Sequence, residues 1–138
     1  MKKTLLLVLA PLLLFISCTN DFYDGDTRTI IEGNIVYNNT PLQNAEVNFY
    51  PVYNQPKNGS IVELSSSEIV YDRYQDEPIS ISKTKTDSSG KISVSIPRNE
   101  DTSVYVVKIT HGKNTKYYGY ISHYNTNNYY VNLGTLNY

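Results

Sequence analysis

Few side chains in this chain are of the types that carry enzymatic chemistry. It has one cysteine, Cys18, and two histidines, His111 and His123. A nucleophilic site needs a serine or cysteine beside a base and an orienting acid, and a zinc site needs several protein ligands. The local pattern predicts His111 in a hairpin turn and His123 near the end of a strand, each as a solvated surface residue. We therefore predict that the protein is not an enzyme and holds no metal or cofactor.

Tyrosine is the residue type with the most potential for binding. The chain has 14 tyrosines and no tryptophan, and several tyrosines crowd near its C-terminal end. Exposed tyrosines stack on sugar faces or anchor protein interfaces, and asparagine amides bond hydroxyls. Strand alternation predicts that Tyr118 and Tyr120 share one face. The candidate ligand-binding residues are Tyr118, Tyr120, Tyr124 and Asn125, with the alternative that these rings only cover a core or an edge.

The first residues of the chain have the pattern of an export signal. Lys2 and Lys3 precede an unbroken apolar run, Leu5–Ile16. A basic flank and a run of this length are typical of a signal peptide, and the run is too short to span a bilayer as a helix. Cys18 follows two residues later, so the signal peptide is predicted over residues 1–17.

The sequence Phe15-Ile16-Ser17-Cys18 resembles a bacterial lipobox, in which apolar residues and a small residue precede the lipidated cysteine. The resemblance implies that Cys18 carries diacylglycerol and that the new amine is acylated after cleavage, so that the protein is a palmitate-type lipoprotein. Two or more acyl chains anchor a protein stably to a lipid membrane. The alternative is a plain secretory signal followed by a chance cysteine.

Residues 18–29 are predicted to be the lipidated cysteine and an acidic tether. Asp21, Asp24 and Asp26 keep this segment solvated. They also resemble the surface-export signals of Bacteroidetes-type lipoproteins, which implies an outer-membrane and surface location in the cell envelope. A calcium loop is an alternative, but the spacing and the distal glutamate of an EF-hand are missing.

The charge balance excludes one class of partner. Removing residues 1–17 takes away two lysines and no acids, which leaves 10 basic against 13 acidic side chains. No basic run is present to follow a phosphate backbone, so we predict no nucleic-acid partner. The partners that the sequence leaves open are a protein of the envelope and a glycan.

Residues 30–138 are predicted to form one all-β domain. Ile31–Tyr37 and Ala45–Phe49 alternate in polarity around a turn, which favours a hairpin. A turn at Thr86–Lys91 precedes the alternating strand Ile92–Ile96, and Ser103–Thr110 is apolar on both faces, which is typical of a central strand.

The segment 51–78 is the irregular part of this domain. Its two short apolar pieces, Ile61–Leu64 and Ile69–Tyr74, are expected to supply at least some strand, because so long a loop without structure is unusual. The acids within Asp72–Glu77 are expected to be solvated rather than to form a glycoside-cleaving pair. The spacing of strands and turns predicts an antiparallel β-sandwich of about seven strands, with this insert after the second strand.

Four motifs resemble the carboxypeptidase regulatory-like domain in their order and spacing. They are Gly33-Asn-Ile35, Pro41-Leu42-Gln-Asn-Ala45-Glu-Val47, Thr86-Asp87-Ser-Ser-Gly90-Lys-Ile92 and Tyr105-Val-Val107-Lys-Ile109. The chain departs from the family pattern at Asn44, where glycine is usual, and at Ile92, where phenylalanine is frequent. The resemblance implies an Ig-like or prealbumin-like sandwich that carries no chemistry and acts as a spacer or docking unit. The expected function is a membrane-anchored structural or docking lipoprotein, and the alternative is a surface glycan-binding accessory lipoprotein that uses the C-terminal tyrosines.

Overall fold

A computed structural model describes residues 28–53, 61–71, 79–97, 104–122 and 129–138. These residues form nine strands and one short 3₁₀ turn, so the all-β fold class is confirmed. The strands are β1 (Arg28–Tyr37), β2 (Thr40–Pro41), β3 (Glu46–Pro51), β4 (Val62–Leu64), β5 (Ser82–Lys85), β6 (Lys91–Pro97), β7 (Val104–His111), β8 (Asn114–Ser122) and β9 (Tyr130–Asn137), and the 3₁₀ turn is Ser66–Glu68. Across this part of the chain, no helix has the length and apolar character needed to cross a membrane.

The first sheet is built around β1. Strand β6 pairs with β1 in antiparallel fashion, with Glu32 opposite Ser93, and the two-residue strand β2 turns back on the end of β1. Strand β9 pairs with β1 in parallel, with Glu32 opposite Asn132. The sandwich is therefore mainly antiparallel, with one parallel pair that the sequence did not predict. Strand β1 also begins at Arg28, two residues before the predicted start of the domain.

The second sheet has five strands in the order β4-β8-β7-β3-β5, and all its pairs are antiparallel. Strand β7 lies in the middle, as its two apolar faces predicted. It forms a hairpin with β8, in which His111 pairs with Asn114. The two sheets pack face to face as an Ig-like sandwich.

The predicted hairpin between the first two long strands is wrong, because β1 and β3 lie in different sheets. Asn38 and Asn39 have the positive φ angles of a tight hairpin turn, but that turn returns the chain only as β2. The chain then crosses to the second sheet. Two strands that face each other across a core have the same alternation of polarity as two strands that pair, so the pattern alone does not distinguish these arrangements.

Two of the crossings between the sheets lie side by side at one edge of the sandwich. They are the segment between β2 and β3 and the segment between β5 and β6. Thr86 joins the two crossings, because its hydroxyl accepts a hydrogen bond from the amide of Ala45 at 2.9 Å and its own amide donates to the Ala45 carbonyl at 3.0 Å. Asp87 and Gly90 occupy the predicted positions of the second turn. Gly90 has a φ of +73°, and the Asp87 Oδ1 atom accepts the amide hydrogen of Ser89 at 2.8 Å.

Two apolar clusters stabilise the sandwich. The inner cluster fills the space between the sheets with fully buried side chains such as Phe49 and Tyr105, each of which contributes about 1.5–3 kcal/mol by burial. The outer cluster lies on the other face of the second sheet. It consists of Val52, Ile69, Val104, Val106 and Tyr120, with Tyr50, Leu64, Tyr71 and Tyr117 packed against it.

The insert that the sequence left undefined covers the outer face of the second sheet. Strand β4 pairs with β8, Ile69 packs into the outer cluster, and Tyr71 forms a bridge with Val52. The described part of the insert therefore buries the second apolar face of β7. This explains why that central strand is apolar on both sides.

Candidate binding groove

The first two predicted ligand-binding residues do not share a face. Val107 lies opposite Tyr118 while Tyr105 lies opposite Ile121, so Gly119 and Tyr120 together oppose the single residue Val106. This β-bulge shifts the alternation by one residue. Tyr118 therefore packs in the inner cluster and Tyr120 in the outer cluster.

Both rings are buried, with 6% of Tyr118 and 9% of Tyr120 exposed. In this conformation neither ring offers a face on which a sugar could stack. Tyr124 and Asn125, the other two predicted site residues, lie outside the described residues, as do Cys18 and His123.

The Tyr118 hydroxyl has a structural role between the two sheets. It donates to the carbonyl oxygen of Asn137 in β9, and it also contacts the Glu63 carboxylate at 3.4 Å. Lys116 forms an ion pair with the same Glu63 Oε2 atom at 2.9 Å. Burial of the ring and the nearby Glu63 charge raise the pKa of Tyr118, so the hydroxyl remains a donor at neutral pH. These contacts join β4, β8 and β9 at the side of the sandwich opposite the β2–β3 and β5–β6 crossings.

His111 lies where the sequence predicted, at the end of β7 beside the hairpin turn, and it is exposed. Its ring contacts the edge of Tyr138 with ring centres 6.0 Å apart. The Tyr138 hydroxyl accepts the His111 amide hydrogen and donates to the carbonyl oxygen of Asn114 at 2.7 Å. Across the described ranges, no three histidine, cysteine or acidic side chains lie close enough together to hold a metal ion.

A groove of about 450 Å³ lies on the outer face of the first sheet. Alternation along β1 turns Ile31 and Ile35 inward and Glu32 and Asn34 outward, so the outer face of this strand is polar at its centre. Strand β6 contributes Ser93 to the groove. Strand β9 contributes Tyr130 and Asn132. At one end, β5 contributes Lys85 and the β5–β6 crossing contributes Asp87.

Glu32 is the central acceptor of the groove. Tyr130 donates its hydroxyl hydrogen to Glu32 Oε2 at 2.7 Å, and Ser93 donates to Glu32 Oε1 at 3.1 Å. The carboxylate is therefore held from both neighbouring strands. The hydrogen bond to Glu32 raises the pKa of Tyr130, and this keeps the hydroxyl protonated well above neutral pH.

Backbone geometry fixes one of the amides beside this carboxylate. Gly134 has a φ of +67°, and its amide donates to Asn132 Oδ1 at 2.8 Å, where the register of β9 against β1 shifts. Because Asn132 Oδ1 accepts this bond, the amide NH₂ group is the end of Asn132 that remains to donate elsewhere.

The groove contains charges of both signs. Glu32 and Asp87 are balanced by Lys85 and Lys91. Hydrogen bonds from the Ser89 hydroxyl and from the amides of Lys91 and Ser89 hold the pKa of Asp87 below its usual value. Asp87 therefore stays ionised, but its Oδ1 atom serves the turn.

Most of this groove was missed by sequence reasoning. Tyr130 belongs to the crowded C-terminal tyrosines, but the sequence pattern did not single out Glu32, Asn34 or Asn132. Only the pairing of β1 with β9, which are almost a hundred residues apart, brings Tyr130 to Glu32.

Comparisons with known proteins leave the chain without a family. No protein-family model and no curated protein matches it. Among solved structures it is similar to a 9R-lipoxygenase from Cyanothece PCC8801, with a TM-score of 0.45 and 11% sequence identity. The likeness covers 81% of this chain but only 16% of the lipoxygenase. It is too remote to bear on function.

Proposed function

We propose that this protein is a non-catalytic structural or docking lipoprotein, anchored to the outer membrane of a bacterial envelope through acylated Cys18. The observation that carries this proposal is the sequence Phe15-Ile16-Ser17-Cys18 directly after a basic and apolar signal. Strand β1 begins at Arg28, so the ten residues that follow Cys18 span at most about 35 Å. The sandwich is therefore held close to the lipid surface.

The lipid anchor is tested by metabolic labelling with an alkyne fatty acid in a Bacteroidetes-type host. The parent protein is expected to incorporate the label and to enter the detergent phase, whereas Cys18→Ala loses both properties. Thr19→Ala serves as the matched control, because it changes the neighbouring residue and leaves the thiol. Equal labelling of the Cys18→Ala variant would refute the anchor. Protease treatment of intact cells then separates a surface location from a periplasmic one.

The exposed edge of β9 supports a docking role. Sheet edges are usually blunted by lysine, proline or short length. Strand β5 carries Lys83 and Lys85, β6 ends at Pro97, and β4 has three residues. Strand β9 has eight residues without a charge or a proline, and in the described part of the chain its only ladder is with β1.

The backbone direction identifies the residue of β9 that a partner strand would meet. The amide of Tyr138 donates to the Val36 carbonyl on β1, so the alternate residues Thr135 and Asn137 turn their backbone groups away from β1. The Asn137 carbonyl already accepts bonds from Lys116 and Tyr118. Thr135 therefore marks the accessible part of the edge. We propose that an extended strand of an envelope protein adds there.

A photo-crosslinking amino acid at Thr135, expressed in intact cells, tests this edge. We expect one discrete crosslinked product, which is then identified by mass spectrometry. The matched control carries the same group at Lys83 on the opposite edge strand, where the lysines of β5 disfavour pairing. The docking proposal fails if neither position, or both positions equally, give products.

A further inference from the structure

The sheet holds the side chains of the groove on the outer face of the first sheet at fixed positions relative to one another. Three adjacent strands supply one cross-strand row, in which Asn132 lies on one side of Glu32 and Ser93 on the other. Residues in such rows have fixed spacing, because the sheet hydrogen bonds set it. The next row places Tyr130 beside Ile30.

The polar groups of the groove complement vicinal hydroxyls. Both oxygens of Glu32 are oriented by hydroxyl donors, and each still has acceptor capacity for a ligand hydroxyl. On the β9 side, the NH₂ group of the Asn132 side chain is the hydrogen-bond donor for a ligand, because its Oδ1 atom already accepts the backbone amide hydrogen of Gly134. Asn34, the next outward residue of β1, adds a second amide within the same groove. Carboxylate and amide groups in alternation are suited to hydroxyls, which both donate and accept.

An apolar platform adjoins these polar groups. Tyr130 is 43% exposed, and its neighbour Ile30 is 45% exposed. The bond from its hydroxyl to Glu32 fixes the tip of the ring, so little conformational entropy is lost if a ligand covers its face. A flat aromatic face beside hydroxyl-binding groups matches the two kinds of surface on a pyranose ring.

The charge balance of the groove selects among hydroxyl-rich ligands. Lys85 and Lys91 offset Glu32 and Asp87, so the site has no net charge to attract a phosphate or a sialic acid. The carboxylate at its centre disfavours an anion directly.

We propose that this groove binds a neutral saccharide, with Tyr130 as the stacking platform and Glu32, Asn34 and Asn132 as the hydroxyl-binding groups. The site is on the face of the first sheet, whereas the proposed docking contact is at the edge of β9. The saccharide proposal extends the proposed function. If it were wrong, the proposals of a lipid anchor and of a docking contact at β9 would be unaffected.

The test uses the full mature lipoprotein in detergent on an array of neutral and acidic glycans, followed by calorimetry with the best neutral oligosaccharide. Tyr130→Ala is expected to weaken binding by about tenfold or more, since it removes the aromatic face on which the sugar ring would stack. Glu32→Gln is expected to weaken it by a similar factor. Tyr37→Ala is the matched control, because Tyr37 is 51% exposed at the other end of β1.

Thermal unfolding of each variant separates loss of the site from loss of the fold. Binding of neutral glycans that falls with Tyr130→Ala and not with Tyr37→Ala supports the proposal. Binding that is unchanged in Tyr130→Ala, a preference for acidic glycans, or no retention of any glycan would overturn it. Arrays of host glycans and of the cell's own polysaccharides distinguish the two sources of such a ligand.

Discussion

At Gly90 the backbone has a φ of +73°, and a Cβ atom placed there would lie 2.5 Å from the carbonyl oxygen of Ile35. That carbonyl accepts the amide hydrogen of Leu42, and the amide of Ile35 donates to the carbonyl oxygen of Gly90. A side chain at this position would therefore push apart the crossing from β5 to β6 and the end of β1. Gly112 has a φ of +61°, but a Cβ atom there would meet nothing within 4 Å.

These two glycines make a matched pair for a stability measurement. Gly112→Ala is expected to lose about 1 kcal/mol, which is the cost of a left-handed backbone for an L residue. Gly90→Ala is expected to lose roughly 3 kcal/mol or more, because a clash with backbone atoms is added to that cost. Urea unfolding measures both losses. Equal losses would show that the contact with Ile35 relaxes freely.

Also at the residue scale, the Tyr138 hydroxyl joins three backbone groups of the β7–β8 hairpin end. We expect Tyr138→Phe to lower the free energy of unfolding by about 1–2 kcal/mol, because it leaves partly covered backbone groups without that partner. The amide hydrogens of His111 and its neighbours should then exchange faster. Unchanged exchange at the turn would argue that water replaces the hydroxyl without cost.

Among the elements, the insert is the one whose contribution is easiest to isolate. Tyr71 packs edge-on against Tyr50 with ring centres 5.7 Å apart, and it lies with Tyr117 of β8 against the outer cluster. Burial and the neighbouring Tyr117 raise the pKa of Tyr71 from 10.0 to about 12. The insert is therefore attached to the second sheet partly through a packed tyrosine ring whose hydroxyl must remain protonated.

This attachment predicts a specific loss of stability at high pH. Between pH 10 and 12 the unfolded chain gives up the Tyr71 proton while the folded chain retains it. The stabilising contribution is thus fully present below pH 10 and is lost as the pH rises through 12. In Tyr71→Phe the free energy of unfolding should decline less steeply across that interval. Parallel declines in the variant and the parent protein would contradict this role.

Prediction from the sequence succeeded for strands and failed for their partners. The alternation at Ala45, Val47 and Phe49 correctly gave an inward face, and the double apolar character of β7 gave its central place. The alternation did not show that β1 and β3 lie in different sheets. Two strands have the same period-two polarity whether they pair in one sheet or face each other across the core. The bulge at Gly119 reversed the expected face of Tyr120. A bulge depends on how many residues the opposing strand supplies, and the sequence of one strand does not contain that information.

On the scale of the whole molecule, the chain has no intrachain disulfide to stabilise it. It has one cysteine, so no disulfide forms within it. The ion pairs found in the described residues, Lys83–Glu46 and Lys116–Glu63, involve exposed groups whose net contribution is small. The packed inner cluster is therefore the main source of stability.

The thermal midpoint should accordingly be insensitive to redox conditions. We expect the same midpoint with and without a strong reductant, and a change of no more than a few degrees between low and high salt. Calorimetry of the protein under each condition measures this. A midpoint that falls in reductant would reveal a crosslink between chains and would contradict the single-domain account.

The parallel pair of β1 and β9 has a mechanical consequence for an anchored protein. In the proposed lipoprotein, the tether would pull on β1 at Arg28, while a partner bound along β9 would resist from the neighbouring strand. That load runs along both strands, so their hydrogen bonds bear force together in shear and do not open one after another as in a zipper. Forced unfolding is governed by the height of the unfolding barrier. The arrangement would let a small domain without a disulfide bear tension between a membrane and whatever it holds.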